Sequence, residues 1–337
     1  MKCLFSPCAV FVLVVLGLLA PAAPTVAPKP LYRDPVYDGA ADPTLFWDRA
    51  GHRWVMFYTN RRASAENLPG VSWVHGTQIG MAESKDGGVT WKYTGTANIN
   101  YGKADYTYWA PDVIQNNGVY HMYLSVVPGI FNDWNAPREI VHLTSQNLKD
   151  WQYESKLDFH SDRVIDPCIF RLPDGSWRMW FKNERAKDGS IYFADSPDLS
   201  HWAAKGVALP GSKGEGPKVF RWKDRYWLVF DAWDGLGVYW SDDCLHWNPQ
   251  ERNLVKEPGT LPTDRTKGNH PDVVVSADGR AYLFYFTHQV GADAEGKPAG
   301  WKRHTVIQVA ELGLQGGTLT CDRNKPADID LVPYRTQ

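Results

Sequence analysis

One short phrase recurs five times along the sequence, and this repetition constrains the fold more than any other feature. Each copy holds a proline in a short, largely apolar run, and the copies occupy residues 41–45, 110–114, 165–169, 215–219 and 270–274. A turn that contains Gly or Asp leads from each copy to an aromatic segment, at residues 54–58, 120–124, 177–181, 226–230 and 281–285. These segments are too short for helices and are rich in Val, Phe, Tyr and Trp, which is typical of strands.

The repeats also end alike, and their ends define the length of the unit. Four of them close on a polar phrase that begins with Ser and ends with Trp, at residues 84–91, 145–151, 196–202 and 241–247. We expect this phrase to turn the chain into a fourth strand and the Trp to pack between neighbouring sheets. Five meanders of about 50 residues predict an all-β, five-bladed β-propeller. It should form a single domain over residues 28–337, with the five proline phrases converging on the axis.

The N-terminus is predicted to be a targeting segment. Lys2 precedes an apolar run over residues 10–20, and small residues and prolines follow. This run is shorter than the ~20 apolar residues that a membrane-spanning helix needs. Residues 1–27 therefore predict a secretory signal with a short Pro/Ala linker. We expect the protein to be secreted or periplasmic, with no membrane anchor after cleavage.

Charge and cysteine content narrow the classes of partner and cofactor. Lys and Arg total 36 and Asp and Glu total 38, so the net charge is only -2. Because the chain has no strong basic field, nucleic acid is not an expected partner. Outside the signal the cysteines are Cys168, Cys244 and Cys321, an odd number without metal-ligand spacing, which predicts free thiols. The 16 Trp and 16 Tyr are compatible with an all-β core and with a sugar-binding cleft alike.

The proline phrases carry acidic side chains. They are Asp42, Asp112, Asp166, Glu215 and, in the last copy, Asp272 beside His270. A single aspartate beside a proline is usually explained as a turn residue. Charged side chains are rarely buried without a partner or a function, however, and the predicted fold brings all of these to one axis. The sequence therefore predicts a carboxylate-lined site where the innermost strands meet.

These phrases resemble glycoside hydrolase family 43, whose members are five-bladed propellers that act on arabinose- and xylose-containing glycans. The resemblance covers nearly all of the mature chain. It implies that Asp42, in ADPTLF, is the general base and that Glu215, in GEGPKVF, is the general acid. The WAPD phrase at residues 109–112 implies that Asp112 tunes the pKa of the acid and orients the substrate. His270 matches a histidine near the axis that often lies beside a bound metal or water.

Hydrolysis with inversion requires two carboxyl groups on different strands. One protonates the leaving oxygen, and the other activates water on the opposite face of the sugar, so the two lie ~6.5–9.5 Å apart. Glu215 must then stay protonated near neutral pH. We expect an anionic Asp112 to raise the pKa of Glu215, and Lys218 to oppose this if it points inward.

Other side chains are candidates for binding an oligosaccharide substrate. Asp166 repeats the Asp-Pro phrase of the first copy, and we expect a structural or subsite role for it. Arg61 is a candidate for binding sugar hydroxyls or a uronate, with a surface salt bridge as the alternative. Trp73 and Trp233 are candidates for stacking on sugar rings, with core packing as the alternative. Trp109 is a further candidate, and its phrase places it beside the cleft. The mechanism requires no cofactor, but a structural Ca²⁺ on the axis beside His270 is kept as an option.

Two other functions fit parts of the sequence. The phrase at residues 84–91, SKDGGVTW, matches the Asp-box turn of sialidases. A sialidase would also need a sixth blade and three arginines around a carboxylate pocket, and the sequence gives no assignment for either. A carbohydrate-binding propeller without catalysis is the second alternative, and the complete set of acidic phrases argues against it.

Overall fold

The computed structural model describes residues 25–187, 189–290 and 301–333. Residues 1–24, which hold most of the predicted signal, lie outside this description. In chain order the strands are β1 (Thr25–Val26); β2 (Ala40–Asp48), β3 (Arg53–Asn60), β4 (Gln78–Ser84) and β5 (Lys92–Thr96) of blade 1; β6 (Asn98–Asn100), β7 (Thr107–Asn116), β8 (Val119–Val127), β9 (Glu139–Ser145) and β10 (Asp150–Lys156) of blade 2; β11 (Val164–Arg171), β12 (Trp177–Asn183), β13 (Ile191–Ser196) and β14 (Ala203–Leu209) of blade 3; β15 (Glu215–Trp222), β16 (Arg225–Asp231), β17 (Leu236–Ser241) and β18 (Asn248–Pro249) of blade 4; β19 (Asn269–Val275), β20 (Ala281–His288), β21 (Thr305–Gln315) and β22 (Thr318–Cys321) of blade 5; and β23 (Asp328–Ile329).

The five sheets are the blades of a propeller, as the repeats predict. Each blade is an antiparallel meander, and β6 adds a short parallel strand to the outer edge of blade 2. The innermost strands β2, β7, β11, β15 and β19 contact one another around the axis. Short 3-10 helices occur at Ser72–Val74, Pro262–Asp264 and Trp301–Arg303. No helix in the described ranges is long and apolar enough to cross a membrane.

The tryptophans that end the repeats pack between blades, which confirms their predicted position. Three of the four lie against an aromatic side chain on the second strand of the preceding blade. The pairs and their ring-centroid distances are Phe57–Trp151 (6.0 Å), Tyr123–Trp202 (5.5 Å) and Trp180–Trp247 (6.0 Å). Trp151 is fully buried, so its replacement by Ala would cost about 3–5 kcal/mol of folding free energy.

The ring is closed by segments that flank the blades in sequence. β1 pairs with β23, and Tyr32 forms an isolated bridge with Ile307 of blade 5. The Trp54 indole N–H of blade 1 donates to the carbonyl of Leu331 at 2.9 Å. Residues 25–27, which the sequence analysis placed in the signal and linker, thus belong to the fold.

Every innermost strand has a β-bulge at its proline phrase. The ladder to the second strand shifts register between Ala41 and Thr44 in blade 1, and at the matching place in the other four blades. The residue before the proline has a positive φ in each case: Asp42 (49°), Ala110 (43°), Asp166 (58°), Gly216 (58°) and His270 (33°). Proline has no N–H for the ladder, and a bulge re-aims the neighbouring side chains. The residues before and after each proline therefore lie in different layers.

The residues that follow the prolines form what we call the axial layer: Thr44, Asp112, Cys168, Lys218 and Asp272. The Lys218 ammonium lies 3.0 Å from Asp112 Oδ1 and 2.9 Å from Asp272 Oδ1. Burial opposes the charge on Lys218, but the two carboxylates outweigh it and raise the pKa of Lys218 well above its ordinary value. The backbone N–H of Leu45 donates to Asp272 Oδ2 at 2.6 Å, and that of Ile169 to Asp112 Oδ2 at 2.7 Å. These contacts join blades 1, 2, 3, 4 and 5 at the axis.

Candidate active site

Glu215 begins β15 and lies opposite Asp231, the last residue of β16. Burial raises the pKa of Glu215 to about 7, and the negative charges of Asp231 and Asp42 act in the same direction. A hydrogen bond from the Trp233 side chain lowers it in part. A carboxyl group with a pKa of about 7 still holds its proton in about half of the molecules at pH 7, so it can act as a general acid there.

Asp42 has the opposite character. It is buried, and its carboxylate accepts hydrogen bonds from Arg61 at 3.2 and 3.4 Å. The Nδ1 atom of His270 lies 3.5 Å from Asp42 Oδ1. Burial alone would raise the pKa of Asp42, but Arg61, His270 and the Thr59 hydroxyl outweigh burial and lower it. Asp42 is therefore ionised where Glu215 is protonated.

Asp166 is the third carboxyl group of this site. Its Oδ2 atom accepts the N–H of Gly216, the residue after the acid, at 3.0 Å. Burial raises the pKa of Asp166 well above its ordinary value, and the charges of Glu215 and Asp42 raise it further. The structure thus brings Asp42, Asp166 and Glu215 together, one from each of three blades.

Asp112 does not belong to this group, which corrects the sequence-based assignment. It follows its proline, whereas Asp42 and Asp166 precede theirs, so the bulge places Asp112 in the axial layer. Its two carboxylate oxygens are occupied by Lys218, the Thr44 hydroxyl and the N–H of Ile169. The carboxylates that raise the pKa of Glu215 are Asp231, Asp42 and Glu184 instead.

His270 and Asp231 complete the floor of the site. The N–H of His270 donates to Asp231 Oδ2 at 3.2 Å. Burial lowers the pKa of His270, although the charges of Asp42 and Asp231 oppose this. Gly216 makes the close approach of His270 possible, because a Cβ at residue 216 would lie 2.7 Å from His270 Nδ1. Sequence reasoning missed Asp231, whose only signal is an acidic residue directly after the aromatic segment 226–230.

The loop side of blade 2 forms one wall of the site. Arg138 is buried, contacts Glu184 at 2.6 Å, and lies 5.3 Å from the Trp109 ring centroid. Trp109 itself is buried and donates its indole N–H to the carbonyl of Val74 at 2.6 Å. Trp109 therefore supports the wall from behind by packing and does not offer an exposed stacking surface. Arg138, which no phrase in the sequence singled out, carries the charge of this wall.

The remaining candidates have distinct surroundings. Arg61 is partly buried and pairs with Asp42, so its salt bridge lies within the site and not at the surface. Trp73 is partly buried, with the Arg303 guanidinium 5.9 Å from its ring centroid. Trp233 is 51% exposed, and so is Trp134 of the blade 2 loop.

A groove of about 1090 Å³ lies apart from the carboxylates. Blade 4 has an outermost strand of only two residues, and the groove opens between this edge and blade 5. It is lined mainly by residues 250–258 and 318–324. None of the acidic residues of the proline phrases lines this groove.

The surroundings of His270 do not fit a calcium ion. Within the described ranges, no group of three or more His, Cys, Asp or Glu side chains is arranged to hold a metal. Ca²⁺ takes six to eight oxygen ligands, whereas His270 offers one imidazole beside Asp42, whose carboxylate already binds Arg61. On the axis below, the ammonium group of Lys218 lies between the two carboxylates of the axial layer.

The fold is similar to that of solved family-43 structures. A thermostable family-43 glycoside hydrolase has a TM-score of 0.66 and 19% identity, with 89% of this chain and 99% of that chain covered. The GH43_1 enzyme from Xanthomonas citri complexed with xylotriose has a TM-score of 0.61 and 15% identity, covering 88% and 94%. CoXyl43, a beta-xylosidase/alpha-arabinofuranosidase from a compost microbial metagenome in its calcium-free form, has a TM-score of 0.60 and 16% identity, covering 84% and 94%.

The sequence itself decides the family. It has no significant match among curated proteins. The family model described as glycosyl hydrolases family 43 matches residues 69–314, which is well over half of the chain and spans all five blades in part or in full. This chain therefore belongs to family 43 of the glycosyl hydrolases.

Proposed function

We propose that this glycoside hydrolase cleaves its substrate by inversion, with Glu215 as the general acid and Asp42 as the general base. One observation carries the proposal: two carboxyl groups in one site have pKa values shifted in opposite directions, that of Glu215 to about 7 and that of Asp42 downward. Such a separation assigns the acid and the base, because only one of the two holds a proton at the working pH.

In the reaction, Glu215 gives its proton to the glycosidic oxygen as the bond to the anomeric carbon breaks. Asp42 takes a proton from a water molecule, whose oxygen attacks the anomeric carbon from the opposite face. The products are the leaving-group alcohol and a sugar of inverted configuration. Glu215 is then ionised and Asp42 protonated, and proton exchange with solvent restores both.

The neighbouring residues keep each carboxyl group in its working state. Asp231 favours protonated Glu215 by its charge, and Arg61 favours ionised Asp42. We assign to Asp166 the supporting role that the sequence analysis gave to Asp112, because Asp166 binds the backbone next to Glu215. No step passes through a metal ion, and a cation beside His270 would act only by its charge.

The proposed substrates are oligosaccharides that contain xylose or arabinose. Solved structures of similar fold include one complexed with xylotriose and one described as a beta-xylosidase/alpha-arabinofuranosidase. The proposal places the mature protein outside the cytoplasm, secreted or periplasmic, because the N-terminal apolar run over residues 10–20 resembles a secretory signal.

The test is the stereochemistry of hydrolysis. The purified protein is incubated with xylo- and arabino-oligosaccharides, and proton NMR follows the anomeric signals before mutarotation. We expect the first product to have the opposite configuration to the substrate and Glu215→Gln to abolish its formation. A first product that retains the configuration would contradict the mechanism, and the absence of hydrolysis of every substrate in the panel would contradict the substrate class.

A further inference from the structure

Trp233 is a bulky residue in an unusual backbone conformation beside the acid. It lies in the turn between β16 and β17 with a φ of 57°, a region that large L-residues rarely adopt. Its side chain is 51% exposed, so packing of the ring does not account for the conformation. Residues held in this way cluster at ligand-binding sites, where surrounding contacts maintain the strain.

Three contacts hold Trp233 against the acid. Its backbone N–H donates to Asp231 Oδ1 at 2.8 Å, and Asp231 is the cross-strand partner of Glu215. Its carbonyl accepts a hydrogen bond from Lys267. The Lys182 ammonium lies 5.4 Å from its ring centroid. Trp233 is thereby held at the edge of the site, beside Asp231 and its cross-strand partner Glu215.

The topology places Trp233 on the leaving-group side. Glu215 is on the innermost strand of blade 4, whereas the turn that holds Trp233 joins the second and third strands, farther from the axis. Asp42 belongs to blade 1, across the axis from this turn. Because inversion requires water and leaving group on opposite faces of the sugar, the leaving group extends from Glu215 away from Asp42. The turn that holds Trp233 lies in that direction.

We propose that Trp233 is the platform for the leaving-group sugar and that its indole N–H holds the acid in position. The inference rests on the proposed function. The ligand is the sugar ring of an oligosaccharide on the leaving side of the bond, because the exposed aromatic face offers an apolar surface to its C–H groups. Trp233 thus acts in two separable ways, through its ring and through its N–H.

Two variants separate these actions. Trp233→Phe keeps a ring and loses the N–H, and Trp233→Ala loses both. The substrates are a disaccharide and the methyl glycoside of the same sugar, which has no leaving-group ring: xylobiose with methyl β-D-xylopyranoside, or arabinobiose with methyl α-L-arabinofuranoside, whichever pair the wild type cleaves.

The N–H stabilises the ionised acid, so its loss raises the pKa of Glu215. The alkaline limb of kcat/KM, where the acid loses its proton, should therefore move to higher pH in both variants. Loss of the ring should lower kcat/KM for the disaccharide about three- to tenfold more than for the methyl glycoside, in Trp233→Ala only.

Trp134→Ala is the matched control, because Trp134 is as exposed as Trp233 but lies in the blade 2 loop. It should leave the alkaline limb in place. An equal shift of the alkaline limb in Trp134→Ala would overturn the inference and leave the proposed function intact. The same holds if the Trp233 variants lower kcat/KM equally for both substrates and leave the alkaline limb unmoved. A wild-type protein that cleaves no substrate of either pair would overturn both.

Discussion

At the residue scale, the site depends on two carboxyl groups that carry different charges at one pH. Burial and the charge of Asp231 favour the protonated form of Glu215, whereas Arg61 and His270 favour the ionised form of Asp42. These assignments predict that the two residues fail in different ways when they are removed.

Glu215→Ala should be far more active on activated aryl glycosides than on oligosaccharides, because an aryl leaving group of low pKa departs with little protonation. Asp42→Ala should lose activity on both substrates alike, because water must be activated whatever leaves. General acid–base groups contribute about 10²–10⁴-fold, so steady-state kinetics on the two substrate classes will resolve the contrast. If Glu215→Ala loses activity equally on both substrate classes and Asp42→Ala remains active, the assignment of the acid and the base is wrong.

The sequence predicted Glu215 as the acid and Asp42 as the base because each stands in a proline phrase that resembles family 43. It assigned the supporting role to Asp112 because the WAPD phrase at residues 109–112 resembles that of family 43, and it gave Asp166 a structural or subsite role. The order within the phrase decides the matter: Asp166 precedes its proline and Asp112 follows it. The bulge separates these two positions into different layers, and it is visible only in the structure. Asp231 stands in no phrase, and only cross-strand pairing with Glu215 reveals it.

At the scale of the element, the bulged innermost strand is the device that presents the site. Proline marks the place in the sequence, but the positive φ that precedes it appears only in the structure. In four blades a non-glycine residue adopts this conformation, and in blade 4 Gly216 does. Gly216 is needed less for its φ, which Asp42 and Asp166 also adopt, than for the approach of the His270 ring.

Gly216→Ala should therefore impair the site beyond its backbone cost. The added Cβ would meet the His270 ring at 2.7 Å and push it from Asp42. We expect a loss of about 1–3 kcal/mol in the free energy of unfolding together with a fall in kcat, measured by urea denaturation and by hydrolysis rates.

Gly279→Ala is the control for that experiment, because Gly279 also has a positive φ, in the turn between β19 and β20, but has open space around its Cβ position. It should cost about 1–2 kcal/mol for the backbone alone and leave kcat unchanged. If the two variants lose stability and activity equally, the contact with His270 does not shape the site.

At the scale of the whole molecule, five repeats close into one ring. The sequence predicted the number of blades and the packing of the terminal tryptophans, because both follow from local patterns that recur. It did not predict the contact of Lys218 with Asp112 and Asp272. These two residues lie on other strands, 106 and 54 positions away from Lys218 in the sequence. That contact depends on the bulge in three blades at once, and no single phrase contains it.

Lys218→Met tests how far this ion pair stabilises the ring. The variant keeps most of the stem but leaves two buried carboxylates without their cation, which should cost about 3–5 kcal/mol of unfolding free energy at pH 7. Lys205→Met, at an exposed lysine of β14, should change it by less than about 0.5 kcal/mol.

The loss should also depend on pH. Without the ammonium group, burial disfavours the charged form of the two carboxylates in the folded variant, so they take up protons more readily than in the unfolded chain. Where the folded variant binds more protons than the unfolded chain, its stability falls as the pH rises. Urea denaturation should accordingly show a smaller deficit relative to wild type at pH 5 than at pH 7. A deficit that is equal at both pH values, or larger at pH 5, would mean that the two carboxylates do not depend on Lys218 for their charge.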